Sequence, residues 1–425
     1  IFVSNWLSMS ILIKSAKIVD ANSKFNGKVQ DILIDRGKIE EISNNISDSK
    51  VKEKIVLKNL HISPGWFDSS VCFGEPGLEE RETLSNGSNT AAFSGFTDVV
   101  LNPETSPYLD TKADIIYVKS QKLPVNIHPL GCLTKEAKST ELADLYEMNE
   151  SGAVGFYDFK KPLLNPNLLK IALQYVQNFD GLILSFPFEK SLCPEGQMHE
   201  GTVSTNYGLK GISSLSEELM LKRDLKILEY TGGKIHIPCI STEESVKLIK
   251  EAKNNKLNVS CSVSINNLFF NDEKLKDFDT RFKVMPPIRD ERHQKALVKG
   301  VSDGTIDFVT SDHSPIDIDN KKTDFENSLF GSTGLESIFG ALNSIFKVEK
   351  SVDILTRGKN IFGIKETNIN VGEDANLSLF DPEYKYLFTK ENVISKSKNS
   401  CFINTNLNGK VYGIISNNLV KVLGN

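Results

Sequence analysis

The chain has 425 residues, of which 39% are hydrophobic and 25% charged, and its formal net charge is −5. This length predicts more than one structural unit, and the mild acidity argues against a nucleic-acid-binding protein, which needs a basic face to displace phosphate counterions. No apolar run reaches the roughly 18 residues that a membrane helix needs. Six cysteines lie scattered without a C-x-x-C pair, which indicates reduced thiols in a cytoplasmic protein.

Both ends of the chain are predicted to be β-rich. A regular strand pattern begins just after Met9, so residues 1–8 are interpreted as an extension and Met9 as a plausible start. The predicted strands are Ile11–Ile18, Asp31–Ile34, Lys38–Ile42, Ala375–Phe380, Val411–Ile415 and Leu419–Leu423. Two β-rich ends around an α/β middle predict that residues 9–63 and 371–425 come together as one small β-sandwich.

The middle of the chain, residues 64–370, alternates apolar runs with helical patterns. The runs are Leu60–Phe67, Phe96–Leu101, Val125–Leu130, Ala153–Tyr157, Leu182–Phe186, Lys234–Ile237, Leu257–Val263 and Ile306–Thr310. Eight such units predict a TIM (β/α)8 barrel, in the α/β class. The active site of this fold lies at the C-terminal ends of the strands, so the residues that follow these runs are the candidates for chemistry.

Several sequence frames are shared with one known family. Residues 64–77 read P-G-x-x-D-x-x-V-x-F-x-E-P-G. Further frames are the Asn102–Asp110 loop, Lys283–Arg289 with its paired prolines, Asp303–Asp307 leading to Ser311–Pro315, Gly334–Glu336 and Gly372–Leu377. Together they resemble dihydroorotase, an amidohydrolase of pyrimidine biosynthesis, from about residue 11 to the end. The resemblance implies a homodimer and a zinc-dependent opening or closing of the dihydroorotate ring, a hydrolase reaction.

The positions at which the resemblance places metal ligands hold unusual residues. The two histidines of the first strand correspond to Ser70 and Cys72, and the histidines after strands five and six correspond to Phe186 and Cys239. The histidine pair after strand seven corresponds to Asn266 and Asn267. Asp158 matches the bridging ligand of strand four, and Asp312 matches the aspartate of strand eight, the family's general base. Serine is a poor zinc ligand and phenylalanine is none, whereas cysteine can bind as a thiolate.

The substrate-binding positions are also altered. An arginine and an asparagine that the resemblance implies correspond to Gly74 and Glu104, and a second asparagine and a histidine correspond to Met285 and Ile316. Losses in both sets predict that the inherited activity is absent and that no metal is bound, a pseudoenzyme. The alternative is a rebuilt zinc site made of Cys72, Asp158, Cys239 and Asp312.

Other residues near the strand ends have simpler interpretations. His236 is interpreted as a hydrogen-bonded core histidine, and His313 as a residue that would support a ligand in an intact site. Asp312 has two open readings, as a remnant base or as a rim residue kept for hydrogen bonding. Lys160 and Lys161 lie near the bridging position of strand four, but Asp158 fits that position better. The two lysines are therefore interpreted as part of a solvated loop.

A barrel without its original chemistry needs another role. The resemblance extends to degenerate dihydroorotase-like chains that assemble with aspartate transcarbamoylase as non-catalytic partners, and this is the favoured hypothesis. An active dihydroorotase or other cyclic-amide hydrolase with altered metal use, and a small-molecule sensor, are the alternatives.

Overall fold

The barrel forms in the middle of the chain. A computed structural model describes residues 2–5, with backbone only, 10–48 and 51–422. Met9 lies outside the described residues. The barrel strands are Trp66–Val71, Phe96–Leu101, Asn126–Pro129, Ile183–Leu184, Ile235–Ile237, Val259–Ser264 and Phe308–Thr310. They pair in parallel with their neighbours, in chain order.

Single bridges complete the ring. Phe156 bridges Gly131 on one side and Ile183 on the other, and Val71 bridges His313. The TIM barrel is therefore confirmed, with Phe156 alone at the fourth position, where the sequence predicts a strand over Ala153–Tyr157.

The first predicted strand divides in two at Gly65. His61–Pro64 belongs to the sheet of the chain termini, and Trp66–Val71 begins the barrel. Gly65 donates its amide N–H to the carbonyl of Asn376 at 2.9 Å. A Cβ atom here would lie 2.2 Å from the Thr97 Oγ1 atom, so the chain crosses between the two sheets where only glycine fits.

Helices cover the outside of the barrel. They span Leu84–Phe93, Lys112–Ser120, Leu145–Glu150, Pro166–Val176, Thr202–Tyr207, Ser214–Thr231, Glu243–Asn254, Ile265–Phe269, Glu291–Asp303, Ile318–Lys321, Ile338–Ile345 and Val348–Thr356. Among the residues described, no helix combines the length and apolar character needed to span a bilayer. All six cysteines are buried and unpaired, in agreement with their scattered spacing.

The chain termini form one continuous sheet. Its strands are Phe2–Asn5, Ser10–Ile18, Val29–Asp35, Lys38–Ser43, Glu53–Ile55, His61–Pro64, Leu377–Phe388, Thr405–Ser416 and Leu419–Val422. His61–Pro64 pairs with both Ser10–Ile18 and Leu377–Phe388 and so joins the strands of the two chain ends, and apolar side chains from both ends form one buried core. Residues 2–5 pair with Leu419–Val422, so this part of the expected extension is a strand of the sheet.

A buried charge network lies at the start of the second barrel strand. The Lys359 Nζ atom is 2.8 Å from an Asp98 carboxylate oxygen, and both side chains are at most 4% exposed. His128 Nε2 and Asn126 Nδ2 contact the other oxygen, each at 3.0 Å. Although burial acts to raise it, His128 and Lys359 hold the pKa of Asp98 far below its usual range. The network therefore favours the charged form of the Asp98 carboxyl group.

We expect Lys359→Met to lower the free energy of unfolding by about 3 kcal/mol, because it leaves a buried carboxylate without its cation. Lys365→Met is the matched control, since the Lys365 side chain is 76% exposed; it should change the free energy by less than about 0.5 kcal/mol. Urea denaturation measures both values. Equal effects of the two substitutions would contradict a stabilising role for the buried pair.

Candidate functional site

The barrel mouth, where the C-terminal ends of the first and eighth strands meet, brings Ser70, Cys72 and Asp312 together. The amide of His313 donates to the carbonyl of Ser70 at 3.1 Å, and the amide of Cys72 donates to the carbonyl of His313 at 2.8 Å. Asp68 fixes this seam, because its carboxylate accepts hydrogen bonds from Thr310 Oγ1 at 2.5 Å and from the amide of Ser311 at 2.8 Å.

Lys160 enters the mouth and pairs with Asp312. The Lys160 Nζ atom lies 2.8 Å from an Asp312 carboxylate oxygen, and the two side chains are 15% and 3% exposed. The ammonium also lies 5.0 Å from the ring centroid of Phe159, and the Lys160 amide donates to the Tyr157 hydroxyl at 3.1 Å. The interpretation of Lys160 as part of a solvated loop is wrong, because the backbone turns at this residue, with φ of 52°, toward the mouth.

Electrostatics keep this lysine charged. Burial acts to lower the pKa of the Lys160 ammonium, but the Asp312 carboxylate outweighs it and raises the pKa above the ordinary lysine value. Ser70 Oγ lies 3.4 Å from the other Asp312 oxygen, and Asn102 Nδ2 donates to Ser70 Oγ at 3.0 Å. The carboxylate is thus held by one cation and one hydroxyl.

The two cysteines at the mouth are packed as neutral thiols. Cys72 and Cys239 are 5% and 3% exposed. Burial raises the pKa of both thiols well above the ordinary value, so neither is a thiolate at neutral pH without a metal. Cys72 belongs to an apolar cluster with Tyr157, Phe159 and Phe186, and Met285 packs against this cluster.

Asp158 is hydrogen-bonded to Thr134. Its carboxylate accepts hydrogen bonds from the amide of Thr134, at 2.9 Å, and from the Thr134 hydroxyl. Cys72, Asp158, Cys239 and Asp312 are the candidate zinc ligands. In the described part of the chain, no three of them have ligand atoms within 4.8 Å of one another.

The four altered substrate positions lie around the mouth and offer few polar groups. Gly74 has φ of 70°, and a Cβ atom there would lie 2.6 Å from the carbonyl oxygen of Leu78, so this backbone does not accept an arginine. Ile316 is 4% exposed. Burial raises the pKa of Glu104, against the opposing charges of Arg81 and Lys160. An acidic group rather than an amide therefore occupies this position, and its charge interacts with that of Lys160.

The remaining predicted pocket residues are buried in the barrel interior. His236 stacks on Phe308 with a centroid separation of 5.3 Å, and its Nδ1 and Nε2 atoms lie 2.9 and 3.2 Å from the Ser260 and Ser262 hydroxyls. This is the hydrogen-bonded core histidine that the sequence predicts. His313 and Asn266 are also fully buried.

His313 and Asn266 keep polar atoms without a protein partner. His313 Nδ1 accepts from the amide of Gly334 at 3.3 Å, whereas its Nε2 atom has no hydrogen-bond partner. Both side-chain polar atoms of Asn266 are likewise unpaired. Such atoms are rare in protein interiors, so these two residues lie at positions where polar partners are expected.

A second cluster of possible ligands is formed by His199, Asp290 and His293. It is the one group of three in the described residues whose ligand atoms lie within 4.8 Å of one another. His199 Nδ1 accepts from Arg289, and His293 Nδ1 accepts from the amide of Glu243 at 2.9 Å. These donors leave the ring protons on the Nε2 atoms, which is the wrong tautomer for binding a metal through Nε2. The sequence did not single out this cluster.

Solved structures share the fold over nearly the whole chain. The L-hydantoinase (dihydropyrimidinase) from Arthrobacter aurescens superposes with a TM-score of 0.82 at 20% identity and covers 98% of each chain. The dihydropyrimidinase from Brevibacillus agri NCHU1002 gives a TM-score of 0.80 at 20% identity, over 96% of this chain and 94% of its own. The fold class shared with these structures is therefore a TIM barrel with an added β-sheet domain.

The sequence comparisons define the family within this class. A family model described as Dihydro-orotase-like matches residues 60–245. The dihydroorotase of Carboxydothermus hydrogenoformans is 35% identical over 94% of this chain and 95% of its own. That of Acetivibrio thermocellus is 35% identical over 97% of this chain and 99% of its own. The chain belongs to the dihydroorotase-like family.

We expect the buried His236 to make stability depend on pH. Burial lowers the pKa of His236 to about 3, against about 6.5 in an unfolded chain. A lowered pKa in the folded state means that the full stability is present above pH 6.5 and is lost as the pH falls. The contribution of this residue is a slope of about 1.4 kcal/mol per pH unit.

Urea denaturation of the wild type and of His236→Gln between pH 7 and pH 4.5 measures this slope. The curve of the variant should be flatter by the stated amount. Parallel curves would show that His236 does not remain neutral in the folded protein.

Proposed function

We propose that this dihydroorotase-like protein lacks catalytic activity and acts as a structural partner of aspartate transcarbamoylase, as a homodimer. The observation that carries the first part is the Lys160–Asp312 ion pair at the barrel mouth. In this family the strand-eight aspartate works beside a zinc-bound water. Here the same carboxylate is engaged by an ammonium group at 2.8 Å.

The altered substrate positions support the loss of activity. Dihydroorotate carries a carboxylate and ring amides, which need charged and polar partners when they are buried. Gly74 holds no side chain, Ile316 and Phe186 are apolar and buried, and Glu104 would face the substrate with a second carboxyl group. Both the chemistry and the binding of the family substrate are therefore weakened at once.

We expect no hydrolysis of dihydroorotate, and no ring closure of carbamoyl aspartate, above the rate without protein. The reason is that Asp312 has no activated water to deprotonate. Both directions are measured at high protein concentration with and without added zinc. Asp312→Ala is the control, and turnover that this substitution abolishes would overturn the proposal of inactivity.

The partner role is supported by a barrel that is fully built although its mouth is altered. The ring is closed, and residues from nearly every barrel strand and helix join one apolar core. Maintaining such a fold without the inherited chemistry is expected of a protein whose outer surface has the function. The dihydroorotase-like partners of aspartate transcarbamoylase are the known case that this chain resembles.

We expect the chain to form a stable complex with the aspartate transcarbamoylase of its own organism. Size-exclusion chromatography with light scattering at micromolar concentration measures the complex. Asp312→Asn should leave the complex unchanged, because the Asp312 side chain is buried and cannot contact a partner directly. Two separate proteins in this experiment, together with unchanged transcarbamoylase activity after gene deletion, would contradict the partner role.

The second candidate is an active cyclic-amide hydrolase with altered metal use. Asp312 is retained, and two thiols lie near it, which favours this alternative over a simple binding protein. Turnover of a cyclic amide that depends on added metal and on Asp312 would establish it.

A further inference from the structure

The geometry points to Lys160 as a built-in cation that takes the place of the family's metal at the barrel mouth and excludes divalent ions from it. This inference deepens the proposed loss of activity and rests on it, whereas the partner role is independent of it. It concerns a residue that no motif identified.

The first argument is the position of the ammonium group. A zinc ion in this family needs the strand-eight aspartate, and in this chain Lys160 Nζ is 2.8 Å from an oxygen of Asp312. Zinc–oxygen bonds are about 2.0–2.2 Å long, so a zinc ion on this oxygen and the ammonium cannot both occupy the space. The ammonium is also enclosed, since its side chain is 15% exposed and it lies against the Phe159 ring.

The second argument is that the other groups at the mouth do not fit a divalent ion. Ser70 offers a hydroxyl that is already hydrogen-bonded, and Phe186 offers no ligand atom. Asp158 is hydrogen-bonded to Thr134. The remaining acidic group is Glu104, which interacts with Cys72 and Lys160, but in the described residues no three carboxylate or thiol ligand atoms at the mouth lie within 4.8 Å of one another.

The third argument is electrostatic. Removing the metal while keeping a buried carboxylate would leave one negative charge without a partner, which is strongly destabilising. The Lys160 ammonium balances the Asp312 carboxylate, and burial raises the pKa of the nearby Glu104 carboxyl group, which disfavours a second negative charge here. Lys160 therefore neutralises Asp312 and at the same time repels a second cation.

Zinc binding to the full chain tests this inference. The experiment titrates zinc against a chelating dye for the wild type, Lys160→Gln and Lys160→Arg, with Lys161→Met as the control. Lys161 is exposed and contacts Tyr108 instead of Asp312. We expect the wild type, Lys160→Arg and Lys161→Met to bind no zinc that depends on Asp312.

Lys160→Gln keeps a hydrogen-bond donor but removes the charge, so it should show weak zinc binding that depends on Asp312 and is at least about tenfold tighter than any such binding by the wild type. The added substitution Asp312→Asn should abolish this gain, which separates zinc bound at the mouth from zinc bound elsewhere on the chain. A wild type that already binds one equivalent of zinc through Asp312, or a Lys160→Gln variant with unchanged affinity, would overturn the inference.

A crystal structure of the wild type soaked in zinc gives the answer without any variant. We expect Lys160 Nζ within hydrogen-bond distance of Asp312 and no anomalous peak at this carboxylate. A peak there, with Lys160 displaced, would overturn the inference. If a wild-type protein with zinc at Asp312 did not turn over dihydroorotate, the proposed loss of activity would stand. Turnover of dihydroorotate would refute that proposal separately.

Discussion

A carboxylate buried at the end of a barrel strand requires a positive partner, and the mouth of this barrel is organised around that requirement. Asp312 is 3% exposed and its partner is the Lys160 ammonium. The ion pair places Lys160, in the loop after the fourth barrel position, at the mouth. The Tyr157 hydroxyl accepts a hydrogen bond from the Lys160 amide and stabilises this turn. The seam between the first and eighth strands, fixed by Asp68, holds the carboxylate in place. The charge balance, the loop and the ring closure therefore depend on one another.

The apolar filling of the mouth agrees with the proposed absence of a metal. A mouth without metal ligands must be filled by other side chains, since cavities in a core cost stability. Cys72, Phe186, Tyr157 and Phe159 lie in one apolar cluster that continues to the barrel centre. The thiols suit this place because a neutral cysteine packs as a small hydrophobic group. The mouth is thus an extension of the core with a single ion pair in it.

On the proposed function, fold and chemistry have separated in this chain. Dihydroorotases 35% identical to the chain match it over nearly its whole length, and hydantoinases at 20% identity share its architecture. The candidate site residues lie at strand ends, where substitution leaves the barrel intact.

The sequence by itself determined the barrel, the sheet of the termini, and the strand ends at which Ser70, Cys72 and Asp312 meet. Periodicity and the position of each residue after an apolar run are local properties, and they suffice for this. Only the tertiary structure decided that Asp158 turns to Thr134 and that Lys160 reaches Asp312, 152 residues away. The physical reason is that the direction of a loop side chain depends on the groups that surround it in the folded protein. A local sequence pattern does not contain that information.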